Sequence, residues 1–94
     1  MLEYKFIDQI KSLPYVEAIY LFGSRARGDA NDKSDIDLAI VCPSANDKEW
    51  LKLVDVVDEA DTLLKIDCLR LDTLGNERLK EEIERDKVVI YERK

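Results

Sequence analysis

Residues 35–41 read Asp-Ile-Asp-Leu-Ala-Ile-Val, polar and apolar in alternation and then continuously apolar. That is the pattern of a strand with one buried side. Successive strand side chains point to opposite faces, so Ile36, Leu38 and Ile40 turn toward a core while Asp35 and Asp37 share the other side, about 7 Å apart along the backbone. Two carboxylates on one side cost free energy unless water solvates them or a cation lies between them. A hard divalent ion such as Mg²⁺ takes one or two carboxylates plus phosphate oxygens. The alternative is a strand face carrying two solvated acids.

The rest of the chain supplies partners for this strand. Leu2, Phe6, Ile7 and Ile10 fall at helical spacing, so residues 3–12 read as a helix that Pro14 stops. Residues 16–22 are apolar and rich in β-formers, a buried strand ending at Gly23-Ser24. Ser24 is placed to cap a short helix over residues 25–27, and Gly28 suits its left-handed C-terminal cap. Residues 29–34 are turn formers. Asp47 is expected to cap a helix with Trp50, Leu53, Val54, Val57 and Leu64 on its apolar stripe. Residues 66–71 form a third strand, Asn76 starts a last helix with Leu79 and Ile83 facing inward, and residues 88–91 form a short fourth strand. This order predicts an α/β (α+β) fold: a small mixed β-sheet packed with helices in a single domain over residues 1–94.

Composition narrows what such a domain can bind. The net charge is −6, which opposes a long polynucleotide held by phosphate neutralisation. It does not oppose a nucleotide, since metal ions bridge acidic protein to polyphosphate. With no histidine, and with Cys42 and Cys68 outside any CxxC spacing, histidine catalysis and most zinc sites are excluded. The two cysteines read as small apolar core residues. Glu3, Lys5 and Asp8 rule out a signal peptide and no apolar run approaches a membrane span, so a cytoplasmic protein is expected.

The segment before the paired acids adds a second feature. Gly23-Ser24 leaves an apolar strand and opens a helical turn, where backbone N–H groups and the Ser24 hydroxyl can meet phosphate oxygens. Asp35 follows Ser24 by eleven residues across a polar loop. Gly23-Ser24-Arg25-Ala26-Arg27-Gly28 followed by Ser34-Asp35-Ile36-Asp37-Leu38 resembles the signature of the DNA polymerase β-like nucleotidyltransferase superfamily, in particular its minimal nucleotidyltransferases.

The resemblance implies Mg²⁺, with two ions, and ATP as substrate. It implies that Asp35 and Asp37 hold the metal that gathers the triphosphate. A third carboxylate, Asp67 on the neighbouring strand with Asp72 as the fallback, would join them at the acceptor hydroxyl or act as its base. Gly23, Ser24, Arg25, Arg27 and Ser34 are then the nucleotide-binding residues, the arginines equally readable as surface residues of a short helix. Larger relatives carry a helical domain for the acceptor, and here only Glu92-Arg93-Lys94 follow Tyr91. The acceptor would therefore come from a partner or a second subunit. Minimal members resemble antitoxins whose partners are helical HEPN proteins, silenced by AMP on a tyrosine. A non-catalytic antitoxin scaffold and an antibiotic-modifying enzyme are the competing readings. Six acids against two lysines over residues 47–61 leave a local charge of −4, a solvated helix face or a surface for a basic partner.

Overall fold

A computed structural model describes residues 4–29, 31, 34–60 and 62–93. Leu2 and residue 3, the Ala30, Asp32 and Lys33 of the expected turn, and Asp61 of the acidic segment lie outside the described residues. The elements follow the predicted order: α1 (Lys5–Lys11), β1 (Ala18–Phe22), α2 (Gly23–Arg27), β2 (Ile36–Val41), α3 (Asp47–Asp58), β3 (Ile66–Arg70), α4 (Glu77–Asp86) and β4 (Val88–Glu92). A 3-10 turn over Leu71–Thr73 precedes α4.

The four strands form one mixed sheet in the order β3-β2-β1-β4. β1 is antiparallel to both β2 and β4, and β2 is parallel to β3. The alternation read from the sequence is realised in β2. Ile36, Leu38 and Ile40 are fully buried and enter a cluster with Phe6, Ile10, Ile19, Leu21, Leu53 and Val57 from α1, β1 and α3, and with Val16 from the segment before β1. The opposite face carries Ala18, Tyr20 and Ala39 beneath Ile83, with Leu69 and Leu79 packed alongside. Helices thus cover both faces. Cys42 is fully buried and Cys68 partly so, and burial pushes their thiols up to about 11 and about 12, so both behave as core residues.

Three local expectations are corrected. Ser24 is not the cap of α2: the helix already starts at Gly23, after an extended Phe22 and without a side-chain cap. Asn46, rather than Asp47, caps α3: its side chain accepts from the Glu49 N–H at 2.8 Å while Glu49 accepts from the Asn46 N–H at 2.9 Å, a closed capping box. α3 also ends at Asp58 instead of reaching Leu64. Its last turn carries acids and no basic residue, which opposes the helix dipole. Leu64 packs against the core from the following loop. Among the described residues no helix is long and apolar enough to cross a membrane.

Leu38→Ala, which empties a fully buried position on an inner strand, is expected to cost about 2–5 kcal/mol by urea unfolding. Leu63→Ala, at a fully exposed position, should change stability by no more than about 0.5 kcal/mol.

Candidate active site

The sheet brings Gly23, Asp37 and Asp67 to one end. In the β1–β2 ladder Phe22 stands opposite Asp37, and in the β2–β3 ladder Asp37 stands opposite Asp67. Directly paired residues share a face, so both carboxylates project on the α4 side, ahead of Ala39 and Leu69. Asp35 lies one residue before β2, on the same side by alternation, and is exposed.

Gly23 is bound to this arrangement by its missing side chain. Its φ is +74°, in the left-handed region, and a Cβ there would overlap Asp37 Oδ2 and lie 3.1 Å from Asp37 Cγ. The glycine read from the sequence as a phosphate-approach residue makes room here for the Asp37 carboxylate. Gly28 adopts the predicted left-handed cap at φ +82°, and its N–H donates to the Ser24 carbonyl. Ser24 is half-buried, with no side-chain hydrogen bond among the described residues.

The acids act on one another. Asp37 has its carboxyl pushed above the ordinary 3.8 by burial first, then by the charges of Asp67 and Asp35 and a hydrogen bond to Asp67; Arg27 pulls the other way. Close like charges share protons in this manner when no cation is present. The donors are all hard oxygen, the chemistry that Mg²⁺ selects. Among the described residues no group of three acids, cysteines or histidines is gathered tightly enough to hold an ion by itself. A divalent ion here would draw its remaining ligands from phosphate or water, as Mg²⁺ does with substrate phosphates.

The other predicted residues separate. Arg25 donates through Nε and Nη2 to the Ser34 carbonyl at 3.2 and 2.9 Å, a strut that fixes the residue before Asp35. Ser34 also accepts, through Oγ, from the Asn31 N–H at 3.0 Å. Arg27 is exposed and pairs with Asp29 at 3.1 Å and more loosely with Asp86 at 3.9 Å. Asp72 is placed elsewhere: it accepts from the Cys42 N–H at 2.9 Å and from Arg70 Nε at 3.0 Å, with both side chains only 13% exposed. Cys42 follows the last residue of β2, so Asp72 braces the end of the sheet away from Asp37.

Two neighbours of the site were not assigned from sequence. Lys65 Nζ lies 3.6 Å from Asp67 Oδ1, and only strand alternation hinted at this. Asp86, tied to Arg85 and Arg27, ends α4 where an acid opposes the helix dipole. That local misfit was the available signal.

Residues 5–94 match the family model described as polymerase beta, nucleotidyltransferase. A candidate protein adenylyltransferase of Methanocaldococcus jannaschii is 29% identical over 77 residues, covering 80% of this chain and 77% of that protein. The crystal structure of a candidate nucleotidyltransferase from Sulfolobus solfataricus has a TM-score of 0.57 and 28% identity over 95% of this chain and 76% of its own. A crystal structure of a toxin–antitoxin with AMP-PNP superposes with a TM-score of 0.64 at 22% identity, over 96% of this chain and 75% of that chain. That last likeness is one of fold.

Two measurements test the site without any substrate. Gly23→Ala should destabilise by about 2–4 kcal/mol, the left-handed strain plus the clash. In an Asp37→Ala background the same change should cost only the strain, about 1–2 kcal/mol. The second concerns pH. Because the Asp37 carboxyl is raised above 3.8, the folded state binds more protons than the unfolded one between that value and the raised one. Stability contributed by this group is therefore lost as pH rises through that window. Asp37→Asn, melted in EDTA, should lose this fall and be at least as stable as the native chain at pH 7.

Proposed function

The chain belongs to the polymerase beta nucleotidyltransferase family and is a nucleotidyltransferase; from that premise we propose that it is a Mg²⁺-dependent protein adenylyltransferase acting as an antitoxin in the cytoplasm. Its donor would be ATP and its acceptor a tyrosine of a helical HEPN-type toxin. The observation that carries this reading is the register Phe22–Asp37–Asp67, which sets two carboxylates side by side next to the Gly23-Ser24 turn. The −6 charge supports a nucleotide rather than a long nucleic acid as substrate.

Asp35, Asp37 and Asp67 are the residues that would hold the metal. When bound, Mg²⁺ supplies charge neutralisation for the triphosphate and for the entering and leaving oxygens of an in-line displacement. The remaining work falls to the chain. Gly23 and Ser24 face the β- and γ-phosphates. Arg27, exposed and paired among the described residues with Asp29 and, loosely, with the half-buried Asp86, is the arginine available to the leaving pyrophosphate. Arg25 acts from behind, since its guanidinium is committed to the Ser34 carbonyl and so sets the position of Asp35. Ser34 serves through that carbonyl.

In the reaction the acceptor oxygen bonds to the α-phosphorus as the bond from that phosphorus to the bridging oxygen breaks. Pyrophosphate leaves, and the hydroxyl proton passes to Asp67. The similarity to an adenylyltransferase candidate and to the fold of a toxin–antitoxin with AMP-PNP supports the choice of AMP and of a toxin acceptor.

With α-labelled ATP, Mg²⁺ and a lysate of the source cells, the native chain should label one small protein. Asp35→Ala/Asp37→Ala, folded by circular dichroism, should transfer about 10³-fold less or worse, the several kcal/mol that a bound metal supplies. Equal partner binding by both forms with no transfer from any of the four NTPs would replace this reading with that of a scaffold. Label on a small molecule instead would point to antibiotic modification.

A further inference from the structure

We propose that the outer edge of β3 receives the acceptor protein, which adds an extended segment to the sheet as a fifth strand and lays its hydroxyl-bearing side chain beside Asp67. The inference rests on the adenylyltransferase reading above and adds how the acceptor is presented.

β3 is the last strand on its side of the sheet. The Ile36 N–H donates to the Lys65 carbonyl at 2.9 Å, and Ile36 is in register with Ile66. In a parallel ladder a residue bonds to the two residues flanking its partner. Lys65, Asp67 and Leu69 therefore direct their backbone groups at β2, and Ile66, Cys68 and Arg70 direct theirs outward. Among the described residues none of these three backbones makes a hydrogen bond on the outer side. A row of unpaired N–H and C=O groups is a template for another strand, and strand addition of this kind binds peptides through main-chain bonds while side chains supply selectivity.

The position of Asp67 gives this edge its meaning. Neighbouring strands lie about 4.8 Å apart, so a residue laid opposite Asp67 with its side chain on the same face stands next to that exposed carboxylate and, through it, to Asp37. The other free edge, β4, also displays exposed apolar residues, Val88 and Val89. It lies at the far side of the sheet, with β1 and β2 between it and β3, too remote to present a hydroxyl to Asp67. A second copy of this chain is a poor occupant of the β3 edge, because it would bring a second acidic cluster against the first. A neutral or basic acceptor segment meets no such repulsion.

Cys68 offers the test, since its N–H faces outward and proline is tolerated on the solvent side of an edge strand. Cys68→Pro removes that donor and leaves the ladder to β2 intact; Cys68→Val keeps the donor and controls for packing. Each variant is checked by circular dichroism and by calorimetric binding of AMP-PNP with Mg²⁺, then assayed for label transfer from α-labelled ATP to lysate protein. We expect Cys68→Val to transfer like the native chain and Cys68→Pro to transfer about tenfold less or worse, with unchanged AMP-PNP affinity, the loss of a backbone bond and of the strand's approach. Native-like transfer by Cys68→Pro overturns the docking. If Cys68→Pro fails to fold, hydrogen exchange of the native chain with its labelled acceptor decides: protection of the Ile66, Cys68 and Arg70 amides supports the fifth strand and unchanged exchange overturns it. No label from the native chain overturns the adenylyltransferase reading and this inference together.

Discussion

The approach of Gly23 to Asp37 constrains the whole site. β1 and β2 pair antiparallel, so the residue leaving β1 must pass the carboxylate at the start of β2. Any side chain at that point would overlap the Asp37 carboxyl, and the backbone there is left-handed. Glycine is the residue that meets both demands. Because it does, α2 can fold directly off β1 and place Arg25 against the Ser34 carbonyl. Ser34, the residue before Asp35, is thus tied to α2, and Asp37 is held in the ladder beside the glycine.

β2 reconciles an acidic site with an apolar core by dividing its faces and its ends. Ile36, Leu38 and Ile40 fill one face entirely. On the other face the acids occupy only the N-terminal end, and Ala39 follows where α4 closes over the sheet. The like charges of Asp35, Asp37 and Asp67 are therefore gathered where solvent still reaches them. Burial first, and then the charges of Asp67 and Asp35, hold the Asp37 carboxyl above its ordinary value, a cost that a divalent cation at this end of the sheet would offset.

Much of this was legible because it follows from local periodicity. The burial of Ile36, Leu38 and Ile40, the left-handed Gly28, the Asn76 cap of α4 and the order of the elements all follow from patterns of a few residues. What escaped depended on neighbours distant in sequence. Asp67 was named through the family resemblance and not through alternation, because its place opposite Asp37 is a matter of ladder register. Nor did alternation say that Asp72 would be consumed by Cys42 and Arg70. The bond from Arg25 to the Ser34 carbonyl was not legible either, because its acceptor lies nine residues away. The end of α3 was misjudged because Leu64 continues the apolar spacing after the helix dipole has turned against its acids.

The three carboxylates do not share one mechanical footing. Asp37 belongs to a strand held by ladders on both sides, and Asp67 to one held by a single ladder. Opening free energies within a domain range from near zero at its margins to the global value in its centre. By that measure β3 is the cheaper strand to open, and its opening would move Asp67 relative to Asp37. Of the paired carboxylates, Asp37 thus stands on the firmer jaw and Asp67 on the more compliant one.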